Sequence, residues 1–227
     1  MWKKLAGLGL AFCCVVSLTA CGGKSSSTQQ VAAYTVTDVS GHQLKLTQKP
    51  QRIVSLNVST DEILAKLVGA DRIAAFSKLA DNPGISTIAK EDLQKVKLRV
   101  DAHGTEALLA SRPDLVVIAD WRGPELAESL RGVGVNVFVY KTPTTVKDIK
   151  ETITLLGQIT GEPKKAAAMV AEMDKSLQGI HAKLGTIPKD KQVKVVALSF
   201  MGAFGGKETT FDDECTYAQV RNMVGEK

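Results

Sequence analysis

Leu115-Val-Val-Ile-Ala119 is an apolar run with no polar interruption, and it is one of a series. Arg52-Ile-Val-Ser-Leu56, Arg72-Ile-Ala-Ala-Phe76 and Val135-Asn-Val-Phe-Val-Tyr140 repeat its character at similar length. Between them lie stretches with apolar residues at helical spacing. Ser59 or Thr60 can cap a helix through Ile63, Leu64, Leu67 and Val68 that stops at Gly69. Thr105 can cap a second through Leu108 and Leu109 that Pro113 ends, and Glu125–Leu130 reads as a third. A half-solvated strand alternates polar and apolar residues, whereas a strand covered on both faces does not. Buried strands alternating with amphipathic helices therefore predict an α/β fold with a parallel sheet between helix layers.

The flanks differ. Tyr34-Thr-Val-Thr-Asp38 and Gln43-Leu-Lys-Leu-Thr47 alternate around Ser40-Gly41, which reads as a β-hairpin ended by Pro50. Val146–Ile159 is a helix, and after Gly161 and Pro163 a longer one runs to about Leu184. Ala166, Val170, Met173, Leu177, Ile180 and Leu184 give the longer helix one apolar stripe, read as packed core on a rigid strut. Pro188 and Lys189-Asp-Lys191 end it, and Val193–Phe200 begins a new strand. The expected order is an N-terminal parallel-sheet α/β lobe, a long linking helix and the start of a second α/β lobe.

Composition narrows the function classes. The net charge is +5 over 227 residues, with both signs interspersed, which is too mild to argue for nucleic acid. His42, His103 and His181 show no metal-ligand spacing, and no phosphate loop, nucleophile elbow or zinc-hydrolase motif is present. Carboxylates are scattered. The reading is of a binding protein without cofactor or metal, not an enzyme; a haem-ligating role for Tyr140 or His103 stays open.

The N-terminus carries Lys3 and Lys4, an apolar run from Leu5 to Val16, and Leu18-Thr19-Ala20-Cys21. This is a secretory signal pattern too short to span a bilayer as a helix. The Cys directly after small residues resembles a lipoprotein signal, which implies acylation of Cys21 after removal of 1–20. The other reading is an ordinary cleavable signal with an incidental Cys. Cys13 and Cys14 leave with the signal, so Cys215 stands alone and reads as a small buried residue. Gly22–Gln30 is a flexible tether. The expected organisation is signal 1–20, tether 21–33, N-terminal lobe 34–145, linking helices 146–190 and a partial C-terminal lobe 191–227.

Several segments resemble one family in their order and spacing. Pro50-Gln-Arg-Ile-Val-Ser-Leu, Thr60-Asp-Glu-Ile-Leu and Leu67-Val-Gly-Ala-Asp-Arg-Ile are similar to the opening of the cobalamin and ferric-siderophore binding proteins of ABC importers. Glu106-Ala-Leu-Leu-Ala-Ser-Arg-Pro-Asp-Leu-Val-Val, Leu130-Arg-Gly-Val-Gly-Val-Asn-Val, Gly157-Gln-Ile-Thr-Gly and Thr209-Thr-Phe-Asp-Asp continue the match. The resemblance implies two α/β lobes joined by a helix, with ligand in the cleft between them. It implies capture of a ferric siderophore, haem or cobamide and delivery to ABC permease subunits. The implied location is extracytoplasmic, on a bacterial membrane through the lipid anchor. The family's second lobe continues for about another domain half, so a chain stopping at Lys227 reads as a truncated product, a partial gene model or a divided gene. The alternative is a non-transporting interaction or remnant lobe.

Ligands of parallel sheets sit at the strand carboxyl ends. Candidates there are Asn57 and Ser59 after the first strand, with Thr60 serving as a cap. Phe76 and Lys78 follow the second strand, Trp121 and Arg122 the third, and Tyr140 ends the fourth. Trp121 offers a flat apolar face and Arg122 a bidentate donor, and Trp121-Arg-Gly123 resembles a turn at the cleft of cobalamin binders. Phe200 and Met201 in a Gly-rich turn are the second-lobe candidates. Glu106 matches the position with which the family pairs permease arginines.

Overall fold

The computed structural model describes residues 33–101 and 105–226, which belong to one compact unit. The expected signal, Cys21, the tether up to residue 32 and His103 lie outside the described residues.

A five-stranded parallel sheet forms the centre. Its strands are β3 (Ile53–Ser55), β4 (Ile73–Ser77), β5 (Arg99–Val100), β6 (Leu115–Ala119) and β7 (Val137–Tyr140), ordered β5-β4-β3-β6-β7. Side-chain alternation splits the core into two layers. Ile53, Leu115, Val117, Ala119 and Phe138 face one side, where they meet Leu64 and Leu67 of α1 (Val58–Val68) and Ile153, Leu156 and Ile159 of α5 (Val146–Ile159). Val54, Val116, Ile118, Val137 and Val139 face the other, against Leu108 of α3 (Thr105–Ala110) and Ala127 and Leu130 of α4 (Pro124–Gly132). The uninterrupted apolar strands follow from this double cover. A short α2 (Lys90–Lys95) leads into β5, an element that its two-residue length conceals in the sequence.

The hairpin of β1 (Tyr34–Thr37) and β2 (Gln43–Leu46) has the register Tyr34↔Leu46 and sends Val36, Leu44 and Leu46 into the first layer. Its turn closes the β7 edge: the Val39 amide donates to the Val139 carbonyl at 3.0 Å, and the Val139 amide donates to Asp38 Oδ2 at 3.2 Å. An edge strand so covered offers little template for another chain.

The strut, α6 (Pro163–Leu184), begins against the sheet and leaves it. Gly157 packs so close to Ala166 that a Cβ at 157 would fall 2.3 Å from the Ala166 Cβ. Glu162 accepts from Lys49 Nζ at 2.9 Å and Arg72 Nη1 at 2.8 Å, and Arg72 also donates to the Pro50 and Thr160 carbonyls. These contacts fix the α5–α6 turn to the lobe. The expected core stripe holds only at this end. Ala166 is buried and Val170 and Met173 pack against the core, but Ile180 and Leu184 are 44% and 41% exposed because α6 has outrun the sheet.

Beyond α6 the expected single strand is broken at Val196. It forms β8 (Lys194–Val195) and β9 (Ala197–Ser199), and β9 turns into an antiparallel hairpin with β10 (Gly202–Phe204). Helix α7 (Thr210–Tyr217) then leads to β11 (Arg221–Asn222), parallel to β8. Cys215, on the buried face of α7, has its thiol pKa pushed up by burial first and then by the charges of Asp212 and Glu214. Among the described residues no helix is long and apolar enough to cross a membrane.

Candidate functional site at the switch of strand order

Chain order reverses at β3. From β3 the sheet grows outward through β4 to β5, and then the chain returns to place β6 on the other side of β3. The helix after β3 packs in one layer and the helix after β6 in the other. The two connections therefore part at the carboxyl ends, and open α/β sheets bind ligands in that crevice.

One side is the turn Leu56-Asn57 into α1. Asn57, not Ser59 or Thr60, is the cap: its Oδ1 accepts from the Ser59 amide at 3.0 Å and the Ser59 hydroxyl at 2.8 Å. The Ser55 hydroxyl donates to the Asn57 carbonyl at 3.0 Å, which braces the turn from below. The other side is the single helical turn Asp120–Arg122, where Trp121 is 59% exposed. The Arg122 guanidinium lies 4.4 Å from the Trp121 ring centroid and donates through Nη2 to the Leu56 carbonyl at 2.8 Å. Arg122 thus spans the crevice, and its Nε is buried without a partner among the described residues. Asp120 accepts from the Thr142 amide at 3.0 Å and its hydroxyl at 2.6 Å. Burial pushes the Asp120 carboxyl up, but these hydrogen bonds win and hold it below its usual range.

Two expected ligand contacts are not presented. Phe76 is fully buried in the first layer, because it points to α1 rather than along the strand. The Tyr140 ring is buried too, and its hydroxyl accepts from Thr60 Oγ1 at 2.6 Å. Burial raises its pKa despite that bond. Both residues belong to the first core layer. Lys78 is exposed and ion-paired with Asp101. Phe200 and Met201 form the β9–β10 turn and are 99% and 83% exposed. Glu106 is exposed in the first turn of α3.

Asp61 is the residue that sequence reading passes over. It is 1% exposed, one turn into α1, and its Oδ2 accepts from the Ser77 amide at 2.9 Å and hydroxyl at 2.6 Å. Burial pushes its pKa up to about 7 against the pull of these bonds. The available signal is spacing: Asp61, Leu64 and Val68 share one helical face, so the acid stands in the apolar stripe. Leu79, 53% exposed after β4, was also unsignalled. A separate groove of about 400 Å³ lies between α1, α5 and α6 beside Ile63, Met169 and Met173. Glu62, Lys66, Glu172 and Ser176 join these apolar side chains around it, on a flank of the lobe away from the strand carboxyl ends.

Residues 53–213, from β3 into α7, match the periplasmic binding protein family. The chain belongs to that family. Two relatives come from Bacillus subtilis. The uncharacterized ABC transporter substrate-binding lipoprotein YvrC is 26% identical over 205 residues, spanning 85% of this chain and 63% of YvrC. The iron(3+)-hydroxamate-binding protein YxeB is 24% identical over 212 residues, spanning 90% of this chain and 62% of YxeB. A periplasmic solute binding protein from Veillonella parvula has the same fold, with a TM-score of 0.67 at 23% identity over 86% of this chain and 61% of the other. The chain thus spans under two thirds of the length of these relatives. Its exposed Trp121 and half-buried Arg122 follow β6 at the carboxyl ends of the sheet.

Proposed function

We propose that this chain is a binding protein, not an enzyme, that captures an iron complex or a cobalamin-type ligand at the switch-point mouth and passes it to an ABC permease. The observation that carries the reading is the Trp121–Arg122 pair across the crevice from Asn57 and Ser59. An exposed indole backed by a cation suits the flat, partly charged surface of a ferric siderophore, haem or cobamide. Phe200 and Met201 would contribute from the second-lobe side and Lys78 from the rim. Glu106 would dock the permease, since it is exposed in the first turn of α3. Residues 1–20 would direct export and Cys21 would carry the acyl anchor outside the cytoplasm, keeping the binder near its permease. Residues 34–145 would act as one lobe, 146–190 as the link and 191–227 as part of another.

The test is tryptophan emission of the full chain titrated with a ferric hydroxamate, ferric enterobactin, haemin and cyanocobalamin. Saturable quenching at micromolar concentration that disappears in Trp121→Phe is expected for one of them. No specific quenching by any of the four would remove the ligand from the reading.

A further inference from the structure

The acid beneath the mouth is wired to it. Asp61 Oδ2 is held by Ser77, but Asp61 Oδ1 is buried with no partner among the described residues. The Ser55 hydroxyl is near enough to favour the charged carboxyl, yet it donates instead to the Asn57 carbonyl at 3.0 Å. Ser55 has one hydroxyl proton and two acceptors that want it. The Asn57 carbonyl keeps a second bond, from the Asp61 amide at 2.9 Å, so it survives the loss of Ser55. A buried carboxylate oxygen without any donor does not survive as an anion at low cost.

We propose that Asp61 is a proton-linked positioning residue for the binding mouth, acting through Ser55 on the Asn57 turn. With Asp61 protonated, Oδ1 needs no donor and Ser55 braces Asn57. With Asp61 ionised, the Ser55 hydroxyl rotates to Oδ1 and the brace on Asn57 is lost. The adjoining Leu56 carbonyl holds Arg122, and Arg122 stacks on Trp121, so the change reaches the exposed indole.

The ionisable groups that act on this pair come from the packed elements. Arg99 of β5 favours the Asp61 anion, and the Tyr140 phenol of β7 is in turn raised by Asp61. Lys78, next to Ser77, is engaged by Asp101. On α1 itself Glu62 accepts from the Thr87 amide and Lys66 is exposed. The raised Asp61 pKa, near 7, places the exchange at neutral pH. Its consequence for binding rests on the function proposed above, whereas the proton exchange itself is read without a bound ligand.

The experiment follows Trp121 emission from pH 5 to 9 in the full chain carrying Trp2→Phe. A single transition with its midpoint near neutrality is expected, absent in Asp61→Asn and in Ser55→Ala. No transition, or one that survives in Asp61→Asn, overturns the proposal. A transition lost in Asp61→Asn but kept in Ser55→Ala overturns the relay. Should the Asn variant not fold, the Asp61 carboxyl ¹³C shift decides: titration in step with the emission supports the relay, and a constant shift refutes it.

Discussion

Replacing Asp38 by Ala should cost far more than a turn residue ordinarily does. Its side chain is fully enclosed, and its two oxygens serve five donors. Oδ1 takes the Ser40 amide and hydroxyl and the His42 amide, while Oδ2 takes the Val139 amide and Arg131 Nη2 at 2.5 Å. The Ala variant leaves the Arg131 guanidinium, 15% exposed, with a carbonyl at Val137 but no close buried countercharge. Breaking one side of such a pair costs about 3–5 kcal/mol. The amides of Ser40 and His42 sit in an exposed turn and can turn to water, so they add little. For a domain of this size that loss corresponds to a fall in Tm on the order of 10 °C. Urea denaturation at pH 7 measures it, with the double variant Asp38→Asn/Arg131→Met as the control that removes both charges. The double variant should recover part of the loss. A cost below about 1 kcal/mol for Asp38→Ala would refute the claim that this carboxylate locks the hairpin to the β7 edge.

Other outcomes follow from the same contacts. Burial pushes Asp38 up, but its hydrogen bonds and Arg131 hold it below the usual carboxylate range, so its contribution is present above pH 4 and lost in acid. Asp61 has the opposite sign: with a folded pKa of about 7 its favourable contribution is complete below pH 4 and declines as pH rises through 7. The decline has a ceiling of about 4 kcal/mol, and Asp61→Asn should flatten the curve of urea midpoint against pH over that range. Gly157→Ala should destabilise by about 1–3 kcal/mol in thermal melts, because the 2.3 Å approach to Ala166 outweighs the roughly 1 kcal/mol gained in helix propensity. Glu162→Gln, which weakens the tie from Lys49 and Arg72, should lower the urea midpoint by an amount equal to about 1–3 kcal/mol; no change would mean the α5–α6 turn is held by packing alone.

The parallel sheet was legible because double burial writes itself into composition: β6 needs an apolar residue at every position, and Leu115–Ala119 has one. β5 was not, since two residues cannot show a period and Val100 alone faces the core. The α6 stripe misled for a related reason. Spacing reports that Ile180 and Leu184 share a face with Ala166, but not how far the sheet extends beneath that face. The fold class and the family resemblance held because they rest on order and spacing over many segments.

The mouth divides along the same line. Trp121 and Arg122 stand out in the sequence as candidates because a loop after a buried strand has few reasons to carry a large indole and a guanidinium. Phe76 and Tyr140 could not be told from lining residues, since the direction of a side chain at a strand end depends on local register, and β3 and β4 shift register between Ile53 and Val54. The contacts that shape the site run between Arg122 and Leu56, Asp120 and Thr142, and Asp61 and Ser77, at separations of 66, 22 and 16 residues. No local pattern encodes such pairs. What the sequence does carry is the misfit: an acid in the apolar face of α1 has to be answered by the strands beneath it, and Ser77 and Ser55 are the small polar residues that end those strands. Burial leaves that acid with a pKa of about 7 and only one of its oxygens hydrogen-bonded among the described residues, a misfit that a Leu at 61 would not create.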